Sequence, residues 1–168
     1  MKEDAVKRYV SGLIGIAAVV AAVPSLAAAV SPADYVAKAG ASDLYEKTSS
    51  QAVLQSTKDL AIRDFANMMI TDHSKSTDMV KAAATKSGVT PKPPVLEPKQ
   101  KAMIDALKAA SGTARDKLYV TQQKQAHQQA LALHKSYGAA GTAAALKATA
   151  GQIVPVVQHH ISMLNNIK

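Results

Sequence analysis

The sequence has no cysteine, no tryptophan and a single phenylalanine, Phe65. Without cysteine there can be no disulfide, no thiolate metal site and no cysteine nucleophile. The thin supply of aromatic and β-branched residues argues against sheet, and the abundance of alanine favours helix. Beyond residue 29 no apolar run reaches the ~20 residues that a spanning helix needs. A Gly-rich phosphate loop is missing too, as is any Ser-His-Asp ordering above chance, so no common enzyme class is indicated.

Acidic residues are the scarcer charge, 12 against 20 lysines and arginines, for a formal net charge of +8. The basic residues are scattered along every segment and no aromatic-and-basic platform accompanies them, which disfavours nucleic acid as a partner. Anionic lipid or cell-wall polymer is the better match for such a charge.

The first 29 residues read differently from the rest. Lys2, Lys7 and Arg8 precede the apolar run SGLIGIAAVVAAV, and small residues then alternate in PSLAAA. These are the parts of a secretory signal peptide, with cleavage expected after Ala27 or Ala29 and export to the periplasm or cell envelope. An uncleaved anchor is the alternative, but the run is short and Pro24 closes it. Residues 30–168 then form one domain, a size that can bury a core.

Within that domain the punctuation predicts four long helices and a short one. Ser31-Pro32 opens the first, which should run to about Thr57. Lys58-Asp59 begins the second, which Gly88 and VTPKPPVLEP stop near Ser87. A short helix follows between Pro98 and Ser111-Gly112. The third long helix covers about Thr113 to Tyr137, and GAAG separates it from a fourth over 142–167 that Gly151 and Pro155 should bend. Two hairpins joined by a long connection are the layout of an all-α four-helix bundle, with a ferritin-like crossover as one way to wire it.

Helical spacing then places polar residues in the core. In the second helix Ile62, Ala66, Met69, His73, Ser76, Val80 and Ala83 form one stripe; in the fourth, Ile153, Val157, His160, Leu164 and Ile167 do. The first helix gives Tyr35, Ala39, Ser42, Glu46, Ser49 and Val53. The third offers two neighbouring stripes, Val120-Lys124-His127-Leu131-His134 or Tyr119-Gln123-Ala126-Ala130-Leu133, with His127 beside both. Glu46, His73 and His127 fall near their helix midpoints, whereas His160 lies about five residues past its own, ~8 Å.

One carboxylate and three imidazoles, one per helix, make Glu46, His73, His127 and His160 a candidate site for zinc, iron, manganese or copper. Met69 and Met163, near His73 and His160, would suit Cu(I), though such methionines commonly fill core. Asp72 is expected to be solvated rather than a partner of another site residue. A di-iron ferritin centre is disfavoured, because Glu-x-x-His is needed on two helices and Ile70, Lys124 and Val157 stand three before the histidines.

FANMMITDH, SGTARDKLYVTQQKQAHQQALALH and IVPVVQHH together resemble a bacterial envelope family, domain of unknown function four-one-four-two, whose members often carry an outer-membrane-protein label. Its pattern corresponds to Glu46; to Phe65, Ala66, Met69, Asp72 and His73; to Tyr119, Gln123 and His127; and to Val154, Pro155 and His160. The resemblance spans about residues 33 to 167 and implies export and a ferritin-like bundle, but no settled activity. Thr48 and Gln128 stand where the family often has acids, and Val154 where it often has leucine, which leaves fewer carboxylates for a metal centre. Two functions follow as expectations. One is a periplasmic bundle binding a single transition metal in buffering or stress protection; the other is a non-catalytic envelope interaction protein whose buried polar residues only fix packing.

Overall fold

The computed structural model describes residues 30–167. The expected leader, residues 1–29, lies outside them. The described residues form five helices and no strand: α1 Pro32–Leu54, α2 Leu60–Lys86, α3 Pro98–Ala109, α4 Gly112–Ala140 and α5 Ala144–Asn166.

The helix starts follow from their caps. Ser31 Oγ accepts the Asp34 amide and Pro32 occupies the first turn of α1. Asp59 does the same for α2 through the Ile62 amide. That cap fixes the turn, and α1 consequently ends at Leu54 rather than reaching Thr57, whose Oγ1 instead accepts the Asp59 amide. At the far end of α2, Gly88 takes φ +71°, a left-handed conformation open to glycine, and the Val89 amide reaches back to the Ala84 carbonyl. In the GAAG segment the first glycine does not stop α4. Gly138 continues the helix and packs against the backbone of Gly151 on α5, and the helix ends only at Gly141.

Antiparallel neighbours surround the core. Tyr35 near the start of α1 touches His134 and Tyr137 near the end of α4, while Ser50 bonds Tyr119 near the α4 start. The α1/α2 and α4/α5 hairpins pack side by side, α1 on α4 and α2 on α5. Helices α2 and α4 therefore run the same way, and residues 87–111 must travel the bundle's length between them, so the connection is a crossover. The connection crosses α1 closely: a Cβ on Gly40 would stand 3.1 Å from Cβ of Pro94. Its helix α3 packs on α1 and α4. The Arg115 guanidinium locks it down, donating to the carbonyls of Lys108 and Ala110 at the end of α3 and of Ala52 at the end of α1. Helix-end carbonyls carry the negative end of the dipole, so a buried cation suits them.

The core is layered along the bundle axis. One apolar cluster, including Tyr35, Val80, Tyr137 and Leu146, fills one end. A second, including Val53, Phe65, Met69, Tyr119 and Leu164, fills the other. Between them lies a belt of buried polar side chains: Asp43, Glu46, His73, Thr77, Gln123, His127 and His160. Met69 belongs to the second cluster and Met163, partly buried, packs against it, as gap-filling core.

Candidate metal centre

The three histidines meet. Their ring centroids are 5.3 to 5.7 Å apart, and one ring nitrogen from each lies within 4.8 Å of the others. His160 shares their level despite sitting past the middle of α5, because depth is set by distance from the connecting turn. His127 and His160 stand at roughly equal distances from the 141–143 turn, as Asp43 and His73 do from 55–59.

Each ring has one nitrogen held from outside the cluster and one left facing it. His73 Nδ1 is 2.9 Å from Asp43 Oδ1, a carboxylate also approached by Thr77 Oγ1. His127 Nδ1 is 2.9 Å from the Gln123 carbonyl, and His160 Nε2 is 3.0 Å from Asp72 Oδ2. Carbonyls and carboxylates accept, so the outward nitrogens donate. The neutral rings then present bare lone pairs inward, from His73 Nε2, His127 Nε2 and His160 Nδ1. His73 Nε2 has no hydrogen-bond partner, and the other two face each other at 3.3 Å. Two lone pairs at that distance repel unless a proton or cation lies near. Outer partners that fix the tautomer and aim the free nitrogen are the usual support of histidine metal ligands.

The charges keep two of the three rings neutral, and a metal ion at His73 would have to displace a proton. Burial pushes His127 down to about 3, helped by the charges of His73 and His160, and pushes His160 down to about 4 against its bond to Asp72. His73 goes the other way. Burial opposes its charging, but the hydrogen bond to Asp43 and the charges of Glu46, Asp43 and Asp72 outweigh it and hold the ring above its ordinary value. Glu46, fully buried, is raised by burial to about 7, with the His73 charge acting against the rise.

Glu46 reaches the belt from α1, as its stripe predicts, but it stands beside the cluster rather than among the mutually close ligand atoms. Its Oε1 lies 3.5 Å from His127 Nδ1, whose N–H is directed at Gln123, and neither carboxylate oxygen has a hydrogen bond. A buried carboxylate so placed calls for a nearby positive charge. Of the two stripes offered by α4, Tyr119-Gln123-Ala126-Ala130 faces in together with His127 and His134, and Lys124 is exposed.

Asp72 departs from expectation. It lies one position round from His73 and holds His160 on α5 while its side chain stays partly exposed. Asp43 went unremarked in the sequence, although it stands four after Ala39 and three before Glu46, the spacing of an inward position. His134 is a fourth buried histidine, bonded through Nδ1 to the Tyr35 hydroxyl at 3.0 Å and pushed down to about 4 by burial. It packs towards the Tyr35 end and is not among the three mutually close rings.

The sequence matches the family described as Domain of unknown function (DUF4142) over residues 17–167. The chain belongs to the DUF4142 family. No curated protein matches it. Among solved structures, this DUF4142 chain is similar to a DUF305 fragment from Deinococcus radiodurans, with TM-score 0.71 and 14% identity over 81% of this chain and 93% of that one. It is also similar to a DUF305 protein from Streptomyces coelicolor, described as secreted, with TM-score 0.65 and 16% identity over 83% and 92% of the two chains. At such identities the likeness concerns the fold, which for this DUF4142 member is a ferritin-like helical bundle. No described helix is long and apolar enough to cross a membrane.

Proposed function

We propose that this chain is an exported envelope protein that holds one transition-metal ion at the middle of its bundle, in a metal-buffering or stress-protection role. His73, His127 and His160 supply three imidazole nitrogens, and Glu46 supplies the carboxylate that balances the ion's charge. The observation that carries the reading is the orientation of the rings: all three outward nitrogens are held by acceptors, while inward His73 Nε2 has no partner and His127 Nε2 and His160 Nδ1 meet only each other. Imidazole with a nearby carboxylate suits zinc, copper, iron or manganese, zinc most simply because three imidazoles and one further group complete a tetrahedron. The three histidines are at most 4% exposed, and an ion so enclosed suits holding and release better than turnover of a substrate. The basic surface fits a location against anionic lipid or cell-wall polymer.

Elemental analysis tests the reading. Protein purified from a periplasmic extract, without chelator or nickel affinity, is expected to carry close to one transition metal per chain, and a folded His73→Ala, His160→Ala double variant is expected to carry none. Equal metal content in both would remove the site; no metal in either would favour an interaction protein whose polar belt serves packing.

A further inference from the structure

The buried cluster has a neighbour at the surface. On the α2/α5 face a cleft of about 590 Å³ is lined by Asp72, Ser76, Met79, Val156 and His159. Asp72 belongs to both places: its Oδ2 holds His160, while its side chain keeps 33% exposure against 1% for the histidine. Ser76, one turn after His73, is 8% exposed, and its Oγ has no hydrogen-bond partner although the residue lines the cleft. A buried hydroxyl left unpaired is unfavourable unless a ligand or water meets it. The exposed His159 ring stands 6.5 Å from that of His160. Lys75 also lines the cleft, but it is exposed and its flexible stem can carry the charge into solvent.

Imidazole, carboxylate, hydroxyl and the Met79 thioether are together a donor set for a transition-metal ion. We propose that this cleft is a loading site, where His159 and Asp72 take a hydrated divalent transition-metal ion and pass it to His160 and the buried cluster. The proposal rests on the metal-binding reading of that cluster. Loading is ligand exchange without electron transfer: water leaves the ion as His159 and a carboxylate oxygen of Asp72 replace it. Once the ion draws Asp72 Oδ2 to itself, the bond from His160 Nε2–H is released and the ring is free to turn. It then accepts the ion on Nδ1, the nitrogen that faces His127. Asp72 is thus the latch, and His159 the first contact.

Stopped-flow uptake of cobalt(II) by the metal-free mature chain, followed by its visible absorption, tests this with two variants at exposed positions. His159→Ala removes the first contact, and Val156→Trp places a bulky ring over the cleft at a residue that is 41% exposed. Both variants should reach the wild-type final absorbance, while His159→Ala slows uptake about ten-fold, the scale on which a local capture site raises an on-rate. Val156→Trp should slow both uptake and release to a chelator. Wild-type rates in both variants, within about two-fold on the same scale, would overturn the loading site and leave the buried cluster standing. A reduced final absorbance at unchanged rate in His159→Ala would also overturn it, by placing that residue in the equilibrium site. No cobalt uptake by the wild-type chain would instead remove the cluster's metal reading and the loading site with it.

Discussion

Saturating zinc is expected to raise the thermal midpoint of the chelator-treated protein by roughly 12 °C. An ion that binds only the folded state stabilises by RT ln(1 + [L]/Kd), which is about 4 kcal/mol at a thousand-fold excess over Kd, and a domain of this size gains roughly 3 °C per kcal/mol. The gain should be large here because the site is assembled by the fold: its three nitrogens come from α2, α4 and α5, and unfolding scatters them. His73→Ala with His160→Ala removes two of the three donors and should abolish the zinc-dependent rise. His134→Gln alters a histidine that is buried yet outside the cluster, and the rise should persist there. Differential scanning fluorimetry with and without zinc reads all three proteins. A similar rise in the double variant would mean that zinc acts elsewhere on the chain.

Acid should act with comparable force on the metal-free protein, most clearly through His134. Its folded value of about 4 lies below the ordinary 6.5, because burial beside Tyr35 disfavours the charged ring. Between those values the unfolded chain binds a proton that the folded chain refuses, so stability falls as pH drops from 6.5 to 4. At 1.36 kcal/mol per unit the loss is about 3 kcal/mol for this group alone. His127 and His160, also depressed, add losses of the same sign. His73 opposes them: its raised value contributes stability that is fully present below 6.5 and is lost as pH rises through the folded value. Glu46, raised to about 7, also opposes them, because between 7 and its ordinary value the folded chain holds a proton that the unfolded chain releases. Three depressed rings against these two raised groups leave a net loss in acid. Urea midpoints measured at pH 7 and pH 4.5 should therefore fall with pH, and less so in His134→Gln. A flat profile would contradict the burial of these rings in their neutral form.

The parts of this architecture that were legible from sequence are those governed by local rules. Proline, glycine and the Ser31 and Asp59 caps punctuate the chain, and the 3.6-residue period put His73, His160 and Glu46 inward. One residue per helix was enough to suggest a cluster. Relations between helices were less legible. Helix midpoints misjudge the level of His160, since the hairpin turn fixes which residues of α4 and α5 lie opposite each other. The α4 stripe could not be chosen from α4 alone, because only packing on α1 and α5 decides that Gln123 goes in and Lys124 stays out. Asp43 and Asp72 show the same limit. Each is an acid on a helix that also carries a more conspicuous site residue, and each acquires its role from a histidine on another helix. Each hydrogen-bonds that histidine, a relation between helices that helical periodicity does not encode.

His73 Nε2, His127 Nε2 and His160 Nδ1 are expected to converge on one ion. X-ray absorption at the zinc edge of the stoichiometrically loaded protein counts the ligands. The spectrum should show a first shell of light atoms at about 2.0–2.1 Å with the multiple-scattering pattern of three imidazoles, falling to two in His127→Gln. A first shell of oxygen alone, or an imidazole count that His127→Gln leaves unchanged, would contradict that convergence.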